Sequence, residues 1–173
     1  MAVIVTEERG TNSTNIKFLE LDAACCIGLN GLTLNKIEGD NCTPIGTWPL
    51  RRVFYRADKQ DTPLTQLPIT RITKQMGWCD DPKDDDNYNK LVELPYLYSH
   101  EKLWRDDDLY DIIVELGYND RPPIKGRGSA IFMHIMARDG SPTSGCISLR
   151  KDDLLNLIRL VGLNEVLEIK APK

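Results

Sequence analysis

The run Ser129-Ala130-Ile131-Phe132-Met133-His134-Ile135, a short polar connection, and then Pro142-Thr143-Ser144-Gly145-Cys146-Ile147-Ser148-Leu149 constrain this chain more than any other stretch. The first run reads as a strand that ends in a histidine, and twelve positions later comes a cysteine held between a glycine and an apolar residue. That is how a strand-borne base meets a loop-borne thiol. Gly145 can take backbone angles barred to other residues, so a tight turn there points the thiol and nearby N–H groups into one cleft. A thiol near its reference pKa of about 8.5 is mostly protonated at neutral pH, and a neighbouring imidazole can take the proton and leave a thiolate. The N–H groups of Gly145 and Cys146 are then candidates for an oxyanion hole. The residues by themselves also suit a plain core, because lone cysteines usually act as small buried hydrophobes and a histidine ending an apolar strand is often a satisfied core residue.

The rest of the chain reads as mainly β. Ala2-Val3-Ile4-Val5 is a strand, Gly10 to Asn15 a turn-rich break, and Ile16 to Leu21 with Ala24 to Leu29 a strand pair, Asn30-Gly31 being the strongest local turn signal. Glycine and proline dominate from Asn35 to Leu50, Val53 to Arg56 is extended, and residues 58–68, punctuated by Pro63 and Pro68, form a surface loop. Ser99 caps a short helix running to Trp104, which leaves His100 exposed and apart from the chemistry. Leu109 to Tyr118 is a strand by its β-branched and aromatic content. Leu154, Leu155, Leu157, Ile158 and Val161 give helical spacing over 151–161, with Asp152 and Asp153 in the first turn and Gly162 at the stop. Glu165 to Ile169 returns as a terminal strand.

A chain of 173 residues suits one domain, residues 1–173, that needs no disulfides for stability. A formal charge of −4 gives no basic footprint, which argues against a nucleic-acid partner. Five cysteines without a C-x-x-C pair, and only two histidines, give no zinc spacing. Their odd number implies at least one free thiol, and pairing of Cys42 with Cys79 stays open. Adjacent Cys25 and Cys26 face opposite sides of a strand. No apolar run of about twenty residues spans a membrane, and Met1 to Gly10 lacks the apolar core of a signal peptide.

The acidic stretch from Met76 to Asn89 lacks the EF-hand pattern, and Asp84 to Asp86 read as a solvated loop. Its Trp78, Asp80, Asp81, Tyr88 and Asn89 mix aromatic and polar groups as a peptide-binding cleft does, with carboxylates suited to a substrate ammonium. A loop tied by its own hydrogen bonds fits equally well. Arg121, Lys125, Arg127 and Arg138 crowd the approaches, where a guanidinium suits a peptide carboxylate.

The segment from His134 to Leu149 resembles the active-site motif of the L,D-transpeptidase (YkuD-type) family. There a histidine after an apolar strand is followed by Ser/Thr-His-Gly-Cys, an apolar residue, often Arg, then Leu or Met. His134, Thr143, Gly145, Cys146, Ile147 and Leu149 fit it. Upstream, Gly39 to Leu50 resembles the family's Thr-Pro-x-Gly-x-aromatic segment, and the resemblance extends from about Cys25 to Ile169. Ser144 stands where a second histidine is common and Ser148 where an arginine is common, and the interval from His134 to Cys146 is shorter than in most members. Ser144 can donate a hydrogen bond but carries no charge.

The resemblance implies a β-sandwich-like fold with one C-terminal helix and short helical turns. It implies two-step acyl transfer in a monomer without cofactor or metal, with peptidoglycan stem peptides as donor and acceptor, in the bacterial cell envelope or periplasm. Cys146, His134, Ser144 and Gly145 are the catalytic candidates. Trp78, Asp80, Asp81, Tyr88, Asn89, Tyr118, Arg127 and Thr143 are the candidates for binding substrate. The crosslink is 3-3, or 1-3 as in some compact members. Hydrolysis of the same thioester by an L,D-carboxypeptidase or endopeptidase, and a noncatalytic peptidoglycan-binding domain, are the alternatives.

Overall fold

The computed structural model describes residues 1–8 and 13–171. Its elements are β1 (Ala2–Glu8), β2 (Ser13–Phe18), β3 (Leu21–Cys26), β4 (Leu32–Thr33), β5 (Thr43–Pro44), β6 (Gly46–Tyr55), β7 (Ile69–Arg71), β8 (Met76–Cys79), β9 (Leu91–Glu93), β10 (His100–Lys102), β11 (Ile112–Leu116), β12 (Phe132–Ile135), β13 (Ile147–Leu149), α1 (Lys151–Leu160) and β14 (Val166–Ile169). Nine strands form one sheet in the order β11-β12-β13-β3-β2-β1-β14-β6-β7, and β6 also pairs with β11. Ten residues make β6 long enough to hold two partners in succession: Gly46 to Pro49 pair with β14, and Leu50 to Tyr55 with β11. The sheet therefore rolls back on itself, which leaves few open edges and encloses the main core.

Alternation decides what that core contains. In β1 and β2, Val3, Val5, Ile16 and Phe18 point inward, and in β11 to β13 Ile112, Val114, Leu116, Met133, Ile135, Ile147 and Leu149 do the same. Helix α1 adds Leu154, Leu157 and Ile158 to it; burial of each such side chain contributes about 1.5–3 kcal/mol. Asp152 and Asp153 in the first turn and Arg159 in the last complement the helix dipole. The opposite, outer face of β11 and β12 carries Ile113 and Phe132. It is covered by a separate three-stranded sheet, β10-β8-β9, whose Trp78 meets Phe132 edge to face at 5.0 Å.

Some local readings change. The link between β2 and β3 is Leu19-Glu20, with Leu19 at φ 51°, and Asn30-Gly31 turns the chain after β3 instead. Of the turn-rich break, Gly10, Thr11 and Asn12 lie outside the described residues, while Ser13 to Asn15 are already in β2. The expected helix from Ser99 is strand β10, because His100, Glu101 and Lys102 pair with Cys79, Trp78 and Gly77. Asp84 is buried rather than solvated, since its carboxylate accepts the N–H groups of Asp86 and Asn87 and the hydroxyl of Tyr96. All five cysteines are free thiols, Cys25 buried and Cys26 half-buried. No helix among the described residues is long and apolar enough to cross a membrane.

Candidate active site

The outer face of the β12–β13 pair carries the candidate residues. These strands run parallel with Met133 opposite Ile147, His134 opposite Ser148, and Ile135 opposite Leu149. Because Met133, Ile135, Ile147 and Leu149 are buried in the main core, the period of two turns His134, Cys146 and Ser148 the other way. All three line a cleft of about 550 Å³, walled by residues that include Glu101, Arg105 and Tyr110.

Cys146 sits just before β13 on a loop that several hydrogen bonds hold in one shape. Gly145 has φ +134°, and a Cβ there would lie 2.8 Å from the carbonyl oxygen of Cys42, so glycine is required by both torsion and space. The Thr43 hydroxyl donates to Gly145 O at 2.8 Å and accepts the Gly28 N–H at 2.8 Å. This joins the upstream Thr-Pro segment to the cysteine loop. Thr143 Oγ1 donates to Cys146 O at 2.6 Å and accepts the Gly145 N–H at 3.1 Å. The Gly145 N–H is thereby taken, which corrects the expectation of a two-donor oxyanion hole.

The resting groups are both neutral. The Cys146 thiol donates to Ala130 O at 3.2 Å and receives the Phe132 N–H at 3.4 Å. Burial pushes its pKa up to about 12, the Glu101 charge adding to the shift and the Phe132 N–H opposing it. His134 Nδ1 lies 2.8 Å from Ile135 O, which can only accept, so a neutral ring carries its proton on Nδ1 and keeps the Nε2 lone pair as a base. The Tyr110 ring meets His134 edge to face at 5.3 Å. Burial pulls the imidazole down to about 4, with the Ile135 bond opposing and the Arg105 charge adding.

This depression has a consequence for stability. Between pH 6.5 and about 4 the unfolded chain binds a proton at His134 that the folded protein refuses, so stability falls as pH falls through that window. At about 1.4 kcal/mol per pH unit the loss is on the order of 3 kcal/mol. Urea unfolding at pH 7 and pH 4 is expected to show that His134→Gln is spared this part of the acid loss. An equal loss in both proteins would contradict the buried neutral imidazole.

The sequence model of the L,D-transpeptidase catalytic domain matches residues 4–169, nearly the whole chain. The chain belongs to the L,D-transpeptidase catalytic domain family. No curated protein matches it. Among solved structures it is similar to the helical cell shape determining protein Pgp2 from Campylobacter jejuni, with a TM-score of 0.50 and 16% identity over 99% of this chain and 48% of that one. It is also similar to L,D-transpeptidase 1 of Mycobacterium tuberculosis, with a TM-score of 0.40 and 13% identity over 97% of this chain and 61% of that one. The chain thus spans less than two thirds of the length of either.

Within this transpeptidase fold, the cleft brings together Cys146, His134, Ser144, Thr143 and Asp80 of the residues singled out from sequence. Gly145 acts beneath it. Others lie elsewhere. Trp78, Tyr88 and Asn89 are buried, with Trp78 Nε1 donating to Asn89 Oδ1 at 2.9 Å and Tyr88 donating to Glu38 at 2.5 Å. Asp81 accepts the N–H groups of Lys83 in its own loop and of Ser99 just before β10, and the Tyr118 hydroxyl donates to Arg127 O at 2.5 Å while the exposed Arg127 side chain stays outside the cleft. Arg121, Lys125 and Arg138 pair with Asp120, Asp85 and Asp108 away from it. The cations that do line the cleft are Lys36 and Arg105, together with the carboxylate Glu101 and with Tyr110. His100 also lines the cleft, with Nδ1 2.8 Å from Tyr98 O, which corrects its placement apart from the site.

Proposed function

We propose that the chain is a peptidoglycan L,D-transpeptidase that forms stem-peptide crosslinks through a thioester on Cys146. What supports this reading above all is the convergence of a thiol, an imidazole with a free Nε2 and a buried, unpartnered Ser148 hydroxyl on one sheet face open to a cleft. A noncatalytic domain has no need of a fixed glycine turn beneath a cysteine that opens into such a cleft.

Because the thiol is held above and the imidazole below neutrality, proton transfer accompanies attack and no resting thiolate forms beforehand. The thiol proton passes to His134 Nε2 as sulfur bonds to the donor carbonyl, whose oxygen becomes negative. Collapse breaks the C–N bond, and the imidazolium returns the proton to the departing terminal D-residue. An acceptor amine then attacks the thioester, the C–S bond breaks, and the thiol is restored. The linkage is 3-3, or 1-3 where the donor is cleaved at the first stem position. Action in the cell envelope and a part in cell shape follow from this reading.

Ser144 is exposed at the cleft rim, with no hydrogen bond to Cys146 or His134. A neutral hydroxyl there contributes about 0.5–1.5 kcal/mol through one hydrogen bond to the acyl group. Ser144→Ala is expected to acylate with a carbapenem on the order of tenfold more slowly, the equivalent of about 1.4 kcal/mol, as read from the mass of the covalent adduct against time. A folded wild-type protein that takes up no adduct at Cys146 would overturn the nucleophile assignment, and a folded Ser144→Ala as inert as Cys146→Ala would put Ser144 in the proton-transfer machinery.

A further inference from the structure

The charged side chains that line the cleft are Lys36, Glu38, Asp80, Glu101 and Arg105. Two of them are ion-paired within the chain, Lys36 with Asp40 and Arg105 with Asp107 at 2.6 Å, and Glu38 is held by two hydroxyls, from Tyr88 and Ser129 at 2.5 and 2.7 Å. Asp80 and Glu101 make no ion pair among the described residues. The β8–β10 ladder puts them on one face as diagonal neighbours, with Glu101 opposite Trp78 and the Asp80 N–H donating to Ser99 O at 3.2 Å. Asp80 Oδ1 is buried without a hydrogen-bond partner. Glu101 Oε1 accepts the Tyr110 hydroxyl at 2.6 Å. On the cleft floor Ser148, 1% exposed, holds a second unpartnered polar atom. A cleft whose Asp80 and Glu101 carboxylates have no ion-pair partner among the described residues, and which holds orphaned polar atoms, is built for a cationic hydrogen-bond donor.

We propose that Asp80 and Glu101 form the subsite for the primary ammonium of the acceptor, and that Glu101 takes its proton before the amine attacks the thioester. This rests on the acyl-transfer reading above. A lysine-like amine, with a pKa of about 10.4, is protonated at neutral pH and has no lone pair to attack with, and as a cation it enters a partly dry cleft only against a counter-charge. Glu101 suits the task. Burial raises its pKa, the Asp80 and Glu38 charges add to the shift, and the Tyr110 hydrogen bond and the Arg105 charge oppose it, which makes its carboxylate a stronger base than an exposed one. One ammonium proton moves to Glu101, the freed lone pair forms the amide C–N bond, and the C–S bond breaks. The proton that nitrogen sheds as the amide forms returns through His134 to sulfur, and Glu101 releases its proton to solvent. Neutralising Glu101 also removes a charge that opposes thiolate at Cys146 as sulfur departs.

Two readouts test the subsite. The first is calorimetric titration of Cys146→Ala, which needs no chemistry, with a stem tripeptide bearing a free side-chain amine and with the same peptide acetylated on that amine. Acetylation is expected to weaken binding at least tenfold, and adding Asp80→Asn or Glu101→Gln to erase the difference. The second is the ratio of aminolysis to hydrolysis of the acyl-enzyme in the presence of the free-amine tripeptide, expected to fall at least tenfold in Glu101→Gln. Both products come from one acyl-enzyme population, so a general loss of activity cancels. Equal binding of the two peptides overturns the ammonium subsite, and an unmoved ratio in Glu101→Gln overturns the base. A wild-type protein that forms no acyl-enzyme overturns the acyl-transfer reading and the base with it, and the calorimetry still decides the subsite.

Discussion

Cys146→Ala is expected to abolish crosslinking, lowering turnover by several orders of magnitude as loss of a covalent nucleophile does, while the fold is kept. The thiol makes two weak contacts, to Ala130 O and from the Phe132 N–H, and the methyl of alanine occupies its place beside Phe132 and Tyr110 without strain. His134→Ala is expected to lose about 10²–10⁴-fold, the range of a lost acid–base group. The other cysteines are expected to lack this role. Cys25 and Cys79 have thiols raised by burial to about 12 and about 11 and line no part of the catalytic cleft, so serine there leaves the chemistry in place. Near-normal turnover by a folded Cys146→Ala protein would sink the assignment.

The second large effect is on stability and falls on Asn89. This side chain, 5% exposed and at φ 56°, accepts the Trp78 Nε1–H at 2.9 Å and the Ala130 N–H at 3.0 Å, and donates to Tyr118 O at 3.0 Å and Asn119 O at 2.8 Å. It ties the covering sheet to the segment that leads into β12. Ala130 itself holds φ 50°, a left-handed conformation that costs a non-glycine residue about 1–2 kcal/mol, and its carbonyl receives the Cys146 thiol. Asn89→Leu strands two buried donors at about 1–3 kcal/mol each, for a loss on the order of 4 kcal/mol by urea unfolding. Asn89→Asp, which keeps the acceptor oxygens, is expected to lose less. A loss under about 1 kcal/mol in Asn89→Leu would show that the segment is held by other means.

The shared face of His134 and Cys146 was legible in the sequence because it depends on local rules. A strand alternates, so a histidine between Met133 and Ile135 must face away from the core they fill, and a cysteine one position before Ile147 shares that face. The late helix was legible for the same reason. The hairpin at Leu19-Glu20 was not, since neither residue is a turn former and the bend is imposed by the pairing of β2 with β3, Phe18 opposite Leu21. Nor was strand β10, whose His-Glu-Lys has little strand propensity and becomes extended only through its ladder with β8. That one misread element hid one side of the cleft wall. With residues 100–102 taken as helix, nothing linked His100, Glu101 or the following Arg105 to a cysteine more than forty positions away. Lys36 and Glu38 were hidden in a glycine-rich stretch that has no periodicity to place a side chain.

The measurement that bears most directly on the central claim is mass spectrometry of muropeptides after incubating peptidoglycan with the purified wild-type protein, with Cys146→Ala as the blank. The account predicts new crosslinked dimers whose mass is the sum of two stems less the fragment expelled from the donor, the free terminal D-amino acid for a 3-3 link or the rest of the stem for a 1-3 link, and none in the blank. An unchanged profile from the folded wild-type protein, or shortened stems without dimers, would contradict it.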